Sequence, residues 1–211
     1  MMNNKRLLTL AICSTLTASA SFAASTELQA LQTSWAKCQY NTSDKDQKEQ
    51  CLNEVVQKNT EYLDAHPNDP ELTVWLAINK STLAGAKGGL GALSLVKEAK
   101  ALLESVIDRA PQTLDGSAYT SLGSLYYQVP GWPLGFGNDK TAEQMLKKAL
   151  EINPNGIDPN YFYADFLAQD GRKEEAKQYF NRALQAPSRP DRPLADQGRK
   201  MEIQAKLKEL S

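Results

Sequence analysis

The sequence has little of what most catalytic and metal centres are built from. Its 211 residues include a single histidine, His66, and three cysteines. A nucleophile activated by histidine needs that base beside it, and a metal site needs several nitrogen, sulfur or carboxylate ligands. His66 stands next to Pro67 at a predicted helix end, where it is poorly placed for either use. We therefore expect no enzymatic activity, no metal site and no cofactor.

The sequence also lacks a block of like charges. It carries 24 Lys and Arg against 25 Asp and Glu, for a formal net charge of −1, and the two signs are interspersed. Proteins that bind nucleic acid usually present a basic patch or stripe. Nucleic acid is therefore not an expected partner.

No apolar run is long enough to span a membrane. The longest, Leu7 to Leu16, is interrupted by Ser and Thr and falls short of the ~20 apolar residues that cross a bilayer. It follows Lys5 and Arg6 and precedes Ser21-Phe22-Ala23, which is the order of a secretory signal peptide. We predict a signal peptide over residues 1–23, cut after Ala23, and a single mature domain over 24–211 with no membrane span.

Lipidation is not expected at Cys13, the cysteine within the predicted signal peptide. Cys13 follows Ile12, whereas a lipoprotein cleavage site has a small residue there. Cleavage removes Cys13 and leaves two cysteines, Cys38 and Cys51, in a compartment where disulfides persist. A metal pair or a nucleophilic thiol would need further ligands or a base, so we predict a structural disulfide that clamps the first two helices.

The mature sequence repeats a two-helix unit. The segment from Gly116 to Ser188 contains two consecutive units in which small, aromatic and closing proline residues recur at matching offsets, a pattern typical of tetratricopeptide repeats. In the second unit these residues are Tyr163, Ala164, Leu167, Gly171, Ala176, Phe180, Ala183, Leu184 and Pro187. With Pro67, Pro111 and Pro154 closing the earlier units, we predict an all-α, tetratricopeptide-like superhelix of about four helical hairpins. The last helix, from about Leu194 to Leu210, is expected to cap it.

Two local signals mark the turns between helices. Asp69-Pro70 and Asp158-Pro159 each offer an N-cap followed by a proline at the first helical position. The segment Gly85 to Gly91, GAKGGLG, is expected to form an extended turn between helices. It does not have the residue order of a phosphate-binding loop.

An inserted loop breaks the regular pattern. Residues 129–137, VPGWPLGFG, make the turn of one hairpin about seven residues longer than in a ~34-residue tetratricopeptide repeat. Pro130 and Pro133 restrict its backbone, which favours a fixed shape. Its apolar side chains Trp132, Leu134 and Phe136 must either fold back on the repeats or contact something else.

A groove lined by the first helix of each hairpin is the other expected binding surface. The helical register places Lys80, Ser124, Tyr127, Tyr161 and Asp165 in it. Aromatic residues beside polar groups are typical of a peptide or small-ligand site. Tyrosines at helical spacing are equally typical of a core.

The chain resembles a known family through the inserted loop and the segments after it. YYQVPGWPLGFGND, then AEQMLKKALEINPNGIDPNYFYADFLAQDGRKEEA and RPLADQGR, are similar to the tetratricopeptide T-component family associated with bacterial TRAP transporters. The resemblance covers roughly Leu72 to Lys208. It implies an all-helical periplasmic protein that pairs with the substrate-binding subunit of a transporter and self-associates. The signal sequence departs from the lipoprotein signals common in that family.

Two functions follow as hypotheses. The first is an exported, periplasmic scaffold that binds a protein partner, such as a transporter subunit, through the groove and the loop. Its candidate binding residues are Trp132, Phe136, Tyr127, Tyr161, Asp165 and Lys80. The alternative is a carrier of a small apolar ligand, held in a pocket between the repeats and the loop that Trp132, Phe136, Tyr127 and Tyr161 would line.

Overall fold

The computed structural model describes residues 16–211, and its described side chains begin at Thr26. The predicted basic start of the signal peptide and Cys13 lie outside these residues. Within the described range the chain is all-α, with nine helices and no strand. The helices are α1 (Leu16–Tyr40), α2 (Lys45–Ala65), α3 (Pro70–Lys87), α4 (Gly89–Arg109), α5 (Ser117–Gln128), α6 (Asp139–Ile152), α7 (Ile157–Gln169), α8 (Lys173–Leu184) and α9 (Pro193–Glu209).

The first eight helices form four hairpins, which confirms the predicted tetratricopeptide-like superhelix. Helices α1, α3, α5 and α7 each contact the next member of the series and so form one layer. Helices α2, α4, α6 and α8 contact the members of that layer and not one another. The first helices of the hairpins are therefore the inner layer, and the second helices are the outer one.

Small residues allow the two helices of a hairpin to approach closely. In the third hairpin a Cβ added to Gly123 would lie 2.7 Å from Cγ of Leu146. In the fourth, Ala164 and Ala176 are fully buried and the ring of Phe180 fills the space beside them. Burial of a side chain of this size contributes roughly 1.5–3 kcal/mol, so the repeat pattern corresponds directly to core packing.

The two Asp-Pro signals behave differently. Asp69 caps α3 as predicted, because its carboxylate accepts hydrogen bonds from the backbone N–H groups of Glu71 and Leu72, both at 2.9 Å. Helix α7 instead begins at Ile157, so Asp158 lies in the first turn and does not cap the helix. The prediction for Asp158 was wrong because two arginines compete for its carboxylate.

The glycine-rich segment forms a much shorter turn than predicted. Helix α3 continues to Lys87 and α4 starts at Gly89, so Gly88 alone separates the two helices. Gly88 has a φ of 71°, in the left-handed region that glycine adopts without a steric penalty. Gly89 also has a positive φ, of 62°, so two successive glycines reverse the chain between α3 and α4.

The first hairpin is joined covalently. The structure pairs Cys38 at the end of α1 with Cys51 in α2, with their Cα atoms 5.6 Å apart. In the chain-entropy model a loop of this length contributes about 3 kcal/mol or slightly less. Helix α1 begins at Leu16 and therefore includes part of the predicted signal segment. No helix in the described range is both long and apolar enough to cross a membrane.

Helix α9 does more than cap the last repeat. Ile203 is buried in the core of the fourth hairpin, and Leu207 and Leu210 pack against that core. At the other end of the helix, Leu194 and Ala195 belong to the core that α1, α2 and α3 form. Helix α9 therefore joins the two ends of the superhelix, a closure that the sequence did not predict.

The closure depends on a glycine. A Cβ on Gly198 would lie 2.4 Å from ring carbons of Tyr40, the last residue of α1. Real Cβ atoms do not approach other atoms so closely. Only a residue without a side chain lets α9 and the end of α1 pack at this distance.

We expect Gly198→Ala to destabilise the fold. Overpacking by one methyl group against the Tyr40 ring lowers the free energy of unfolding by about 1–3 kcal/mol. The higher helix propensity of alanine restores at most ~1 kcal/mol of this loss. Urea unfolding followed by circular dichroism measures the difference. The matched control is Gly85→Ala in α3, where a Cβ would meet nothing within 4 Å. That variant is expected to gain up to ~1 kcal/mol. Equal effects of the two substitutions would contradict the closure.

Candidate functional site

The inner helices and α9 surround a central cavity of about 790 Å³. Because α1, α3, α5 and α7 form the inner layer, their exposed faces turn toward this space, and the loop from Pro187 to Arg192 leads α9 across it. Aromatic side chains form part of its wall, namely Trp35, Tyr40, Trp75, Tyr161 and Phe162. Its polar lining includes Gln32, Gln39, Ser81, Thr82, Thr120, Ser121, Ser124, Gln128, Asn153 and Asn155. We call this space the central cavity.

The charged residues of the central cavity are balanced in sign. The basic ones are Lys48, Arg189, Arg192 and Arg199, and the acidic ones are Asp115, Asp158, Asp191 and Glu202. The three arginines lie on the loop before α9 and on α9 itself. Most of the positive charge therefore comes from the segment that closes the superhelix.

Asp158 is the centre of an ion-pair network. Its Oδ1 accepts a hydrogen bond from Nε of Arg199 at 3.0 Å, and its Oδ2 accepts one from Nη1 of Arg189 at 2.8 Å. Nε of Arg189 also donates to Asp196 at 2.7 Å. Burial alone would raise the pKa of Asp158, but the guanidinium groups of Arg199 and Arg189 outweigh it and hold that pKa below its usual range. The carboxylate is thus charged and fully occupied.

Aromatic rings hold the inner arginine in place. The guanidinium carbon of Arg199 lies 4.1 Å from the ring centroid of Tyr161 and 4.9 Å from that of Phe162. Such cation–π contacts favour a fixed, charged guanidinium. Burial raises the pKa of the neighbouring Tyr40 phenol above its ordinary value, so Tyr40 is neutral. Arg199 therefore serves the fold, between Asp158 and the rings.

Arg192 differs from the other two arginines. Its guanidinium carbon lies 4.9 Å from the ring centroid of Trp75, and no carboxylate in the described part of the chain lies within ion-pair distance of it. Its Nε is buried without a hydrogen-bond partner. Burial lowers the pKa of Arg192 from its ordinary value. The central cavity therefore contains one guanidinium that the fold leaves unpaired.

The structure places only two of the predicted groove residues in the central cavity. Ser124 and Tyr161 line it. Lys80 lies outside its lining and pairs with Glu98 of α4. The side chain of Lys80 thus points to the hairpin partner of α3.

Tyr127 and Asp165 form a structural link outside the cavity lining. The hydroxyl of Tyr127 donates to Oδ2 of Asp165 at 2.9 Å, and Lys206 of α9 lies 2.9 Å from Oδ1 of the same carboxylate. Asp165 is buried. Tyr127 and Asp165 therefore connect α5, α7 and α9.

The residues that sequence reasoning missed come mainly from the segment before α9. SRPDRP reads as a rigid polar turn, and nothing local shows that its arginines turn back toward α3 and α7. Trp75 lies on α3, and its partner Arg192 is 117 positions away in sequence. The sequence shows arginines in this segment and aromatic residues on the inner helices. Only the closure of the superhelix brings the two groups together in space.

The inserted loop makes hydrogen bonds within its own backbone. The N–H of Gly137 donates to the carbonyl of Pro130 at 3.0 Å, and the N–H of Gly135 donates to that of Gly131 at 3.1 Å. A Cβ on Gly135 would lie 2.4 Å from the oxygen of Pro130, so the backbone is packed against itself. The loop is therefore held by its own hydrogen bonds.

This bracing holds two apolar side chains in solvent. Trp132 is 90% exposed and Leu134 is 67% exposed, and we call this pair the loop tip. Phe136 instead turns back, and its ring lies edge-on to Tyr126 with centroids 5.5 Å apart. Phe136 thus anchors the loop to α5, while the side chains of the loop tip lie largely in solvent.

The four residues of the apolar-carrier hypothesis do not line one pocket. Tyr161 is in the central cavity, Phe136 packs on Tyr126, Tyr127 packs on Phe166, and Trp132 faces solvent. The pocket predicted between the repeats and the loop is therefore not formed by these side chains. Within the described residues, no group of three His, Cys, Asp or Glu side chains is arranged to hold a metal ion.

Comparisons with known proteins agree with the architecture. Residues 135–192 match the family model described as tetratricopeptide repeat. The fold is similar to that of TTC0263, a thermophilic TPR protein in Thermus thermophilus, with 23% identity, a TM-score of 0.58, and coverage of 76% of this chain and 73% of that one. A weaker likeness is to MamA of AMB-1, with 21% identity, a TM-score of 0.42, and coverage of 90% and 91%. A search among curated proteins gives no significant match.

We expect Asp158→Asn to destabilise the protein at neutral pH. It would leave Arg189 and Arg199 without their shared carboxylate, at a cost of about 2–3 kcal/mol, somewhat less than for a fully buried pair because Asp158 keeps some exposure. The stability that comes from a lowered carboxyl pKa is present above the ordinary value of 3.8 and is lost as the pH falls below it. Urea unfolding between pH 7 and pH 2 should show the two proteins converging in acid.

The control for this experiment is Asp191→Asn. Asp191 also lines the central cavity but is exposed and makes no ion pair in the described structure. Its replacement should change stability by less than about 0.5 kcal/mol. A difference between wild type and Asp158→Asn that stays constant down to pH 2 would argue against the network.

Proposed function

We propose that this chain is an exported scaffold that binds a protein partner through the loop tip. The observation that carries the proposal is the exposure of Trp132 and Leu134 on a loop whose backbone is already fixed. The tetratricopeptide fold supports it, because stacked helical repeats commonly provide extended binding surfaces. No enzymatic step is part of the proposal.

The chemistry of the loop tip suits a protein partner. Exposed apolar groups side by side mark interaction sites, and tryptophan is among the residues that contribute most to protein interfaces. A braced loop loses little conformational freedom on binding, so more of the interaction energy is available for affinity. Phe136 and Tyr126 hold the loop on α5, which fixes the loop tip relative to the rigid repeats.

The partner class we propose is the substrate-binding subunit of a bacterial TRAP transporter. This part of the proposal is supported by the resemblance of the loop and of the segments after it to the T-component family. The loop tip lies inside the segment YYQVPGWPLGFGND that carries that resemblance. A second copy of this chain is the other occupant that the resemblance implies.

We also propose that the protein acts in the periplasm after cleavage at Ala23. The proposal is supported by the order of charges and apolar residues in residues 1–23 and by a disulfide in the first hairpin. Cell fractionation with N-terminal sequencing tests it. Recovery of an uncleaved chain in the cytoplasm would refute it.

Removal of the loop tip should abolish partner binding without affecting the fold. The double variant Trp132→Ala and Leu134→Ala is expected to weaken binding to the purified substrate-binding subunit by at least about 100-fold, since central apolar anchors contribute ≥2 kcal/mol each. Biolayer interferometry measures the affinity, and circular dichroism checks the fold.

Leu90→Ala is the matched control. Leu90 is equally solvent-exposed, at 86%, but stands at the start of α4 outside the loop. Its replacement should leave the affinity unchanged. Equal affinities for wild type and the double variant would contradict the loop-tip proposal. A dimer in light scattering that the double variant dissolves would assign the loop tip to self-association instead.

A further inference from the structure

The starting observation is the unpaired arginine of the central cavity. Arg189 and Arg199 share Asp158, and each has a second carboxylate, Asp196 and Glu202 respectively. Arg192 has none, although it comes from the same short segment. Buried polar groups in folded proteins nearly always have partners, so a buried Nε without one calls for an explanation.

The ring of Trp75 fixes the orientation of this guanidinium. Its centroid lies 4.9 Å from the guanidinium carbon of Arg192, and Trp75 is itself buried. Because the ring holds one face of the planar group and Nε is buried, the two Nη groups at its outer edge are the donors that a ligand would reach. That edge is a fork of N–H groups which matches the two oxygens of a carboxylate.

Two further polar side chains of the cavity lack partners. Gln32 of α1 is 7% exposed and Thr120 of α5 is 5% exposed, and both line the central cavity. Neither the amide of Gln32 nor the hydroxyl of Thr120 makes a hydrogen bond with another described residue. Gln32 and Thr120 come from different hairpins. Hydrogen-bonding groups without a protein partner therefore face the central cavity from more than one side.

The size of the central cavity suits a small molecule or the end of a chain. Ligand pockets in proteins typically measure about 300–1,000 Å³, and this one measures about 790 Å³. A folded domain could not enter it. A molecule with roughly one charged end and several hydrogen-bonding groups would satisfy the groups that the fold leaves without partners.

We propose that the central cavity binds a polar molecule through a carboxylate, which the guanidinium of Arg192 holds against the ring of Trp75. Gln32 and Thr120 then hydrogen-bond the neutral part of the molecule. A carboxylate suits this site because the planar N–H fork of the one unpaired guanidinium matches its two oxygens. Asp191 and Asp115 in the same lining would repel a second negative charge on the ligand.

The site is separate from the loop tip and needs no protein partner. Trp132 and Leu134 are not among the residues that line the cavity. The proposal therefore stands or fails independently of the proposed scaffold function. Loss of partner binding in the loop-tip variant would leave the carboxylate site unaffected.

The test follows the side-chain N–H of Arg192 by nuclear magnetic resonance. The probes are N-acetylglycine, which carries one carboxylate, and N-acetylglycinamide, which has nearly the same shape and no charge. We expect N-acetylglycine to shift the Nε–H signal of Arg192 saturably, with an affinity at least about tenfold higher than that of the amide. The purified full chain is used throughout.

Arg182 provides an internal control in the same spectra. Its guanidinium carbon also lies over an aromatic ring, 4.7 Å from the centroid of Tyr179, but the residue is exposed on α8. Its signal should move little and without saturation. Equal, unsaturated shifts of Arg182 and Arg192, or equal affinities for the acid and the amide, would overturn the proposal.

Substitutions test the same point by a second readout. In Arg192→Leu the shift of the Trp75 indole N–H on addition of N-acetylglycine should disappear, whereas Arg182→Leu should leave it unchanged. Thermal unfolding by circular dichroism verifies that each variant is folded. Persistence of the Trp75 response in folded Arg192→Leu would contradict a role of this arginine in binding.

Two sources of the carboxylate are distinguished by a further probe. N-acetyl-tetra-alanine with a free C-terminus tests for the end of a peptide chain. An affinity more than about tenfold above that of N-acetylglycine would assign the site to a peptide terminus, and a lower affinity would assign it to a small organic acid. Either result requires that Arg192 responds to the carboxylate.

Discussion

The contact between α9 and the end of α1 is the constraint on which the rest of the structure depends. A stack of helical hairpins is open-ended, because each unit contacts only its neighbours. Here Gly198 lets α9 approach Tyr40, and Leu194 and Ala195 enter the core of the first hairpins while Ile203 stays in the core of the last. The chain therefore forms a partly open cavity between its inner helices and α9.

The closing segment also determines the electrostatics of that cavity. It brings three arginines to a space whose walls are mostly neutral and aromatic, and the fold neutralises two of them through Asp158, Asp196 and Glu202. Buried charges are tolerated only when they are paired or hydrogen-bonded. Arg192 is the exception, and it is the chemical reason for assigning a ligand to the interior. The loop tip departs from ordinary packing in a different way, because it exposes apolar side chains to solvent.

Much of the fold could be predicted from sequence because it is local. Residues such as Ala164, Ala176 and Phe180 repeat at helical spacing within one hairpin, and the Asp69 cap acts over three residues. The loop could also be recognised, since its prolines and glycines define its shape. The central cavity could not, because it depends on a contact between α1 and α9 at opposite ends of the chain. The role of Asp158 was missed for the same reason: its partners follow it by 31 and 41 positions.

The closure separates two surfaces of different chemistry, the apolar loop tip on the outside and a charged, hydrogen-bonding lining inside. The most direct test is the nuclear Overhauser effect between the ring protons of Tyr40 and the α protons of Gly198. These groups are in van der Waals contact in the closed structure, so a strong cross-peak is expected. Its absence in a protein whose α9 is helical would contradict the closure, and with it the cavity between α9 and the inner helices.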